Sequence, residues 1–245
     1  MAQNAEQIVR QAVQTELAAD AADHSHWLYL DIDRKPDTQL KDWVAETSNG
    51  DVKRVLNENG RGLTEQEQQS RMEDFAHDDA AQAKQRKTGR HDDEQARQML
   101  ELLPQAFVWT IGQEQNGSTV LHFTPNPQFH PPNREARVFA AMEGEMTVDD
   151  AQHRIASLKG RMIRDVTFGG GLLGYLKAGG SFDVERRELK PGVWQITETH
   201  VHIVGRALLF KTISEQEDET KSNFQQLSDD ISLAGAEQLL LKQPA

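Results

Sequence analysis

The chain has 245 residues, no cysteine and a formal net charge of −12 at pH 7. The lack of cysteine excludes disulfides, zinc–thiolate sites, iron–sulfur clusters and cysteine nucleophiles. The negative charge argues against binding along a phosphate backbone, which needs a basic surface, so we expect no nucleic acid partner.

The location of the protein in the cell has two interpretations. No run of residues approaches the ~20 apolar residues of a membrane span. The first residues, MAQNAEQIVRQAVQ, predict a polar amphipathic helix and lack the basic and apolar regions of a signal peptide. The protein is therefore either cytoplasmic, or a mature exported segment that follows a new initiator methionine.

The amino-terminal quarter predicts one helix and then strands. Ile8, Val9, Ala12, Val13 and Leu17 have helical spacing, which predicts a helix over residues 4–22. Apolar and polar residues alternate in the run HWLYLDIDR, which predicts a strand. Two more strand-like runs flank Asn49-Gly50, a strong hairpin signal, and Asn59-Gly60 ends this ribbon.

The composition changes in a polar segment at 64–103, which is rich in Gln, Glu, Asp, Arg and Ala. Thr64 followed by Glu67 predicts a capping box and a helix over 65–87. We expect Gly89 to break this helix and a second helix over 92–103 to end before Pro104. The first of these helices has few apolar residues beyond Met72 and Phe75, so the segment is either a solvated helical hairpin or a mobile lid.

Strand patterns dominate the rest of the chain. Eight runs follow Pro104, from AFVWTIGQE to RALLFKTISEQ, and one of them covers 135–149. Together with the first three runs they predict about eleven antiparallel strands, and SLAGAEQLLL at 232–241 predicts a last short helix. The charge runs DVERRELK and EQEDETK are interpreted as solvated strands or loops. We predict an α+β fold with a single domain over residues 1–245, in which the segment at 64–103 is an insertion.

A glycine motif follows the run that ends at Phe168. Gly169, Gly171 and Gly174 match the spelling of a dinucleotide-binding fingerprint. That fingerprint requires a crossover helix and a parallel strand, but only LLGYLKA follows before Gly179-Gly180 and the next strand. We interpret the glycines as a wide turn between antiparallel strands, and we predict no cofactor.

Four stretches carry a family resemblance. They are ARVFAAMEGEMTVD with a Phe and a Pro upstream of it, a pattern of separated residues that ends in DVTFG, the stretch PGVW, and the stretch GRALLFK. With these stretches the chain resembles the outer-membrane lipoprotein-sorting fold (LolA-like) superfamily. Within it, the chain is most similar to a bacterial periplasmic or secreted group with no assigned role. The resemblance covers most of the chain, and the segment at 64–103 departs from it.

The resemblance implies a strongly curved antiparallel sheet, an open half-barrel, with helices that cover its concave face. In related proteins this apolar hollow receives the acyl chains of lipoproteins or similar amphiphiles. We therefore expect a non-enzymatic periplasmic protein, exported with a removed signal peptide, that binds a lipid-like ligand as a lipoprotein carrier or envelope sensor. An envelope protein is a possible further partner.

Thirteen aromatic and aliphatic residues are predicted to line the hollow. They are Trp27, Tyr29, Trp43, Trp109, Phe123, Phe139, Phe168, Leu172, Leu173, Tyr175, Phe182, Trp194 and Phe210. Each CH2 buried by an acyl chain contributes about 0.8 kcal/mol, so binding needs no specific hydrogen bond. The alternative is that each residue belongs to the core between sheet and helices.

Catalytic and metal sites are not indicated. His24 with His26, and His200 with His202, have a spacing that zinc can use, but neither pair has a neighbouring acid in a known signature. No serine lies in a nucleophile motif. Two functions therefore remain beside lipid binding: an interaction module whose hollow is filled by its own helices and which binds a partner through a sheet edge or the 64–103 segment, and an enzyme on a glycan or lipid.

Overall fold

The computed structural model of the protein describes residues 4–168, 174–207 and 216–245. In chain order the elements are α1 (Ala5–Ala22), β1 (Trp27–Lys35), β2 (Thr38–Ala45), β3 (Val52–Glu58), β4 (Arg61–Gly62), α2 (Glu65–Ala76), α3 (Asp79–Ala106), β5 (Phe107–Gln115), β6 (Ser118–Pro125), a 3-10 helix (Glu135–Ala141), β7 (Met142–Asp149), β8 (Arg154–Met162), β9 (Val166–Phe168), β10 (Gly174–Leu176), β11 (Ser181–Lys190), β12 (Val193–His202), β13 (Gly205–Ala207), β14 (Gln216–Gln226) and α4 (Leu233–Leu240).

Eleven of the strands form one antiparallel sheet that does not close on itself. The strand order is β4-β3-β2-β1-β14-β12-β11-β8-β7-β6-β5, and a second sheet has the order β13-β10-β9. The predicted α+β class and the predicted antiparallel sheet of about eleven strands are confirmed.

The chain forms two compact units, which are described separately. Unit 1 comprises the described residues of Met1–Ala22 and Gln95–Glu217, and unit 2 comprises Asp23–Glu94 and Asp218–Ala245.

Unit 1 buries one face of strands β5 to β8, with α1, the end of α3 and the 3-10 helix contributing to the same core. Two glycines make room for aromatic rings on this face. A Cβ atom on Gly144 would lie 2.8 Å from the ring of Phe123, and one on Gly160 would lie 2.5 Å from the ring of Phe182. These four residues are neighbours in register, so the rings cover the bare backbone of the glycines.

Unit 2 has its own core on one face of β1 to β3. Leu28, Trp43 and Val52 point to this face, and α2 and α4 contribute Met72 and Leu240. Helix α2 is therefore anchored by the fully buried Met72 and is not fully solvated.

Two Asn-Gly pairs form two-residue turns, whereas Asn49-Gly50, which carries the predicted hairpin signal, lies in a six-residue connection between β2 and β3. Asn116 and Gly117 both have positive φ, 54° and 80°, and join β5 to β6 as a two-residue hairpin. Asn59 and Gly60 do the same between β3 and β4. The capping box is also confirmed, since Thr64 Oγ1 accepts from the amide of Glu67 while the Glu67 carboxylate accepts from the amide of Thr64.

Two predicted boundaries are wrong. Gly89 does not break a helix, because α3 runs from Asp79 through Gly89 and Pro104 to Ala106, and the break lies at His77–Asp78. The run at 135–149 is not one strand, since its first seven residues form the 3-10 helix. The acidic run that begins near Gln216 forms strand β14, the solvated-strand interpretation of that segment.

The glycine motif lies between antiparallel strands. Gly174 of β10 is in register with Phe168 of β9, and no crossover helix lies between β10 and the next described strand. The predicted turn itself, residues 169–173, lies outside the described residues.

Candidate functional site

Four aromatic rings form the centre of the unit 1 core. The ring of Phe107 lies 4.6 Å from Phe123, 5.3 Å from Phe139 and 5.8 Å from Trp109, measured between centroids. All four residues are buried. The indole Nε1 of Trp109 donates to the carbonyl of Leu103 at 3.2 Å, so its one polar atom is satisfied. The cluster is an apolar surface on the inner face of β5 and β6.

Helix α1 joins this core with small side chains. Its buried apolar residues are Ala5, Val9, Ala12 and Val13. Val9, Ala12 and Val13 belong to the helical stripe that the sequence predicts, and its two larger members, Ile8 and Leu17, pack against the same core but are only partly buried. The fully buried apolar contacts of α1 are therefore made by small side chains.

A buried ion-pair cluster fixes the same helix. Glu16 of α1 accepts from Arg154 Nε at 3.1 Å, from Arg154 Nη2 at 3.0 Å and from the amide of Ile155 at 2.7 Å. Arg186 Nη1 lies 2.6 Å from the same carboxylate. We call Glu16, Arg154 and Arg186 the latch.

The latch keeps Glu16 ionised. Burial raises the pKa of this carboxyl group, but the hydrogen bonds from Arg154 and Arg186 and their charges outweigh burial, so the pKa of Glu16 is lowered. The arginines are also satisfied elsewhere: Arg154 Nη1 donates to the carbonyl of Gly192 at 2.8 Å, and Arg186 Nη1 to that of Ile155 at 3.1 Å. The sequence alone does not reveal the latch, because Arg154 and Arg186 lie 138 and 170 residues from Glu16 in the chain.

An open groove of about 630 Å³ lies beside the latch. It is lined by the polar side of α1 and by the turns that flank β8 and β12, with Gln11, Thr15, Ala18, Gln152 and Gly192 among the lining residues and Arg154 at its wall. The groove gives access from solvent to the place where α1 is fixed.

The other predicted hollow residues are divided between the two units. Phe168 and Phe182 belong to the unit 1 core, and Trp43 belongs to the unit 2 core, where its Nε1 donates to the carbonyl of Pro244. Trp27 and Tyr29 contact Phe224 in unit 2. Trp194 is half-buried and donates to Gln152, and Tyr175 is 39% exposed. Leu172, Leu173 and Phe210 lie outside the described residues.

The outer face of unit 1 carries a cross-strand row of charges. His122, Glu145, Lys159, Asp183 and His200 are successive partners in register across five strands. His122 Nδ1 lies 3.2 Å from Glu145, and Lys159 Nζ lies 3.3 Å from Asp183. An open groove of about 570 Å³ runs over these residues. The charges alternate and pair with one another, as on a solvated sheet face.

The histidine pairs named from the sequence lie in different settings. His24 and His26 precede β1 and are not on a strand, whereas His200 and His202 both point to the outer face of β12. No three histidine, aspartate or glutamate side chains within the described part of the chain are grouped so that they could hold a metal ion.

Comparison with protein-family models, with curated proteins and with solved structures finds no significant match to this chain. In the ranges that the structure describes, no helix combines the length and the hydropathy that crossing a membrane would require.

Proposed function

We propose that the protein is a non-enzymatic binding protein that holds a lipid-like or acyl-bearing amphiphile on the apolar face of unit 1, beneath α1. The observation that carries the proposal is the aromatic cluster of Phe107, Trp109, Phe123 and Phe139, which shares one core with α1, a helix whose fully buried apolar residues are small. The roles of lipoprotein carrier or envelope sensor, and a periplasmic location, are part of this proposal and rest on the family resemblance.

The energetics favour exchange of α1 for an acyl chain. The helix packs two buried alanines, two buried valines and the partly buried Ile8 and Leu17 on the core, whereas an acyl chain of about 16 carbons offers over a dozen CH2 groups at about 0.8 kcal/mol each when fully buried. A ligand of this kind can therefore replace the apolar contacts of α1 without any hydrogen bond.

The latch supports a detachable helix. Taking an ion pair out of water costs about as much as the attraction returns, so a buried ion pair stabilises less than well-packed apolar groups of the same volume. When α1 moves away, Glu16, Arg154 and Arg186 regain water, which offsets the loss of their contacts. The adjoining groove places solvent next to these groups.

A change in the latch tests the proposal. Glu16→Gln keeps the shape of the side chain but removes its charge, so α1 should detach more readily and uptake of a fluorescent fatty acid should rise about tenfold. Glu6→Gln is the matched control, because Glu6 lies on the same helix in an exposed pair with Arg10 and should leave uptake unchanged. Uptake is measured by titration of the probe, with circular dichroism as a check of folding.

The same experiment separates this function from its main alternative. If the folded wild-type protein and both variants take up no probe, and an organic extract of the purified protein contains no amphiphile by mass spectrometry, the core is filled only by its own side chains. The carrier proposal is then wrong.

A second function is favoured by strand β5, which stands at the end of the main sheet. Val108 is 47% exposed and Ile111 is 42% exposed on this edge. An edge strand with exposed apolar residues is a template for an added strand from a partner. In an interaction module of this kind, a photo-crosslinker at position 111 should capture an envelope protein, and Val108→Lys should abolish the adduct.

A further inference from the structure

The face of unit 2 opposite its core carries buried carboxyl groups. Along β1, residues Leu28 and Leu30 point to the core, so Tyr29 and Asp31 point to the other face. Asp31 of β1 is in register with Asp42 of β2, so the two carboxyl groups stand side by side on that face. Their side chains are only 5% and 1% exposed.

One lysine lies between the two aspartates. Nζ of Lys53, on β3, is 3.3 Å from Oδ2 of Asp42 and 3.9 Å from Oδ2 of Asp31. The remaining oxygen of each carboxyl group, Oδ1, is buried without a hydrogen-bond partner. A buried carboxylate oxygen without a donor is costly, because it has lost water and gained nothing in return.

We propose that Asp31 and Asp42, bridged by Lys53, form a buried proton-binding site, in which the folded protein holds one shared proton near neutral pH. The ligand is a proton and not a metal ion, since no three acidic or histidine groups in the described ranges are placed to hold a metal. A proton on Asp31 turns an unpaired acceptor into a neutral carboxyl group and leaves one negative charge opposite Lys53. The inference does not depend on the function proposed for unit 1.

Acidic groups outnumber basic groups around the pair. The groups that act on Asp31 and Asp42 are Asp33 of β1, Lys53 of β3, and Glu219 and Lys221 of β14. Glu46, Asp51 and His26 are further members of the same network of interacting charges. The carboxylates thus outnumber the two lysines, which leaves the lysines unable to neutralise them.

The expected protonation follows from this arrangement. Burial, and then the charge of Glu219, raises the pKa of Asp31 to about 7, although Lys53 and Lys221 act against the shift. Burial also raises the pKa of Asp42. Burial lowers the pKa of Lys53, but Asp42 and Asp31 outweigh it and the pKa is raised, so the lysine stays charged and the proton belongs to the aspartates.

The directions of these pKa shifts determine how the stability of the folded protein changes with pH. The pKa of Asp31 is higher in the folded state than in the unfolded chain, where it is near 3.9. The stabilising contribution is therefore complete below the unfolded pKa and is lost as the pH rises through about 7. Deep in that window each pH unit should change the unfolding equilibrium constant up to tenfold in favour of the unfolded state.

Direct titration is the first test. The carboxyl carbon of Asp31 in the wild-type protein, followed by NMR from pH 4 to 9, should show an apparent midpoint between about 6 and 8. A midpoint of the Asp31 and Asp42 signals near 4 would overturn the inference. This measurement needs no variant and no assumption about folding of a variant.

Denaturation of a neutral variant is the second test. Asp31→Asn should lose less stability than the wild-type protein between pH 6 and 9, so that the two urea midpoints converge or cross as the pH rises. Asp183→Asn is the matched control: Asp183 also lies 3.3 Å from a lysine, Lys159, but its side chain is 37% exposed. The control should keep the wild-type pH profile.

Added salts complete the test. Sodium, magnesium or calcium chloride at matched ionic strength should not stabilise the wild-type protein more than Asp31→Asn. Selective stabilisation of the wild type by one cation would mean that a metal ion, and not a proton, satisfies the free oxygens, and the inference would be wrong. If Asp31→Asn does not fold, Asp42→Asn removes the same shared site and replaces it in both experiments.

Discussion

Arg54 is a buried side chain that holds the carboxyl-terminal residues of the chain in place within unit 2. Its Nη1 donates to the carbonyl oxygens of Leu240 at 2.9 Å and Gln243 at 2.7 Å, at the end of α4, and its Nε donates to Gln68 at 2.8 Å. Carbonyl groups at a helix end have no partner within the helix, and a cation there also interacts favourably with the helix dipole. Arg54 therefore caps α4 and holds α2 at once.

Replacing this arginine should destabilise unit 2. Arg54→Met keeps most of the side-chain volume but leaves two carbonyl oxygens and the amide oxygen of Gln68 without their donor. Each buried group left unsatisfied costs about 1–3 kcal/mol. We expect a loss of about 2–4 kcal/mol in the free energy of unfolding, measured by urea denaturation.

Arg61→Met provides the comparison for this change. Arg61 also lies in unit 2 and pairs with Glu67 at 2.8 Å, but its side chain is 58% exposed. An exposed pair contributes about 0–1 kcal/mol, so the substitution should have little effect on the midpoint. Equal losses in the two variants would refute the capping role of Arg54.

Single residues also mark the limit of prediction from the sequence. The alternation of Tyr29 and Asp31 with Leu28 and Leu30 predicts the strand correctly, but it does not show whether the aspartate is buried or faces water. Its burial depends on pairing with Asp42 and with Lys53, which lie in other strands. Because burial of a polar residue is set by tertiary contacts, the periodicity of one strand could not reveal the carboxyl pair.

Helix α3 shows at the level of elements why local signals fail. Gly89 is a poor helix residue, and on that ground the sequence predicts a break. The helix continues through the glycine, which costs only about 1 kcal/mol relative to alanine, and the actual boundary at His77–Asp78 follows the end of α2. Pro104 lies in the last turn of α3, where its missing N–H removes one i→i−4 hydrogen bond.

Gly89→Ala should therefore stabilise the protein. A Cβ atom at this position would meet no other atom within 4 Å, and alanine favours a helix over glycine by about 1 kcal/mol. We expect a gain of roughly 0.5–1 kcal/mol in thermal or urea denaturation. Gly60→Ala should instead lower the stability, because Gly60 has a φ of 81° that alanine adopts only with strain.

The elements that the sequence predicts best are those whose signals are entirely local. Asn116-Gly117 sets a two-residue hairpin through the positive φ angles of both residues, and Thr64 with Glu67 starts α2 through four neighbouring positions. In contrast, the alternating pattern does not distinguish the 3-10 helix at Glu135–Ala141 from the strand that follows it. No local sequence pattern predicts the latch, because its three residues lie far apart in the chain.

At the scale of the whole molecule, the two units should respond to pH in opposite ways. The pKa of Glu16 in unit 1 is lowered, so the stability it contributes is present above the unfolded pKa of about 4.3 and is lost as the pH falls through its folded pKa. In unit 2 the pKa values of Asp31 and Glu46 are raised to about 7, so their contribution is lost as the pH rises through that value.

We therefore expect the stability of the protein to be greatest at about pH 4–5, where Glu16 is ionised and Asp31 and Glu46 still hold most of their stabilising protons. Calorimetric midpoints from pH 3 to 9 measure the profile. Glu16→Gln should flatten its acidic limb, and Asp31→Asn should flatten its alkaline limb. A midpoint that rises steadily from pH 6 to 9 would contradict the raised pKa values in unit 2.

More of the fold than of the candidate site could be predicted from the sequence. Strand runs, their turns and the absence of crossover helices suffice for an antiparallel α+β protein, because these depend on the order of local patterns along the chain. The thirteen residues predicted for one hollow are instead divided between two units, as Trp43 and Trp109 illustrate. Which aromatic residues meet depends on the packing of strands far apart in the chain.

This division of the tryptophans has a practical consequence. Each unit contains two of the four tryptophans: Trp27 and Trp43 lie in unit 2, and Trp109 and Trp194 lie in unit 1. Replacing one pair by phenylalanine leaves intrinsic fluorescence that reports on a single unit. Emission spectra of the two double variants would show whether both halves of the protein lose their structure at one denaturant concentration or in succession.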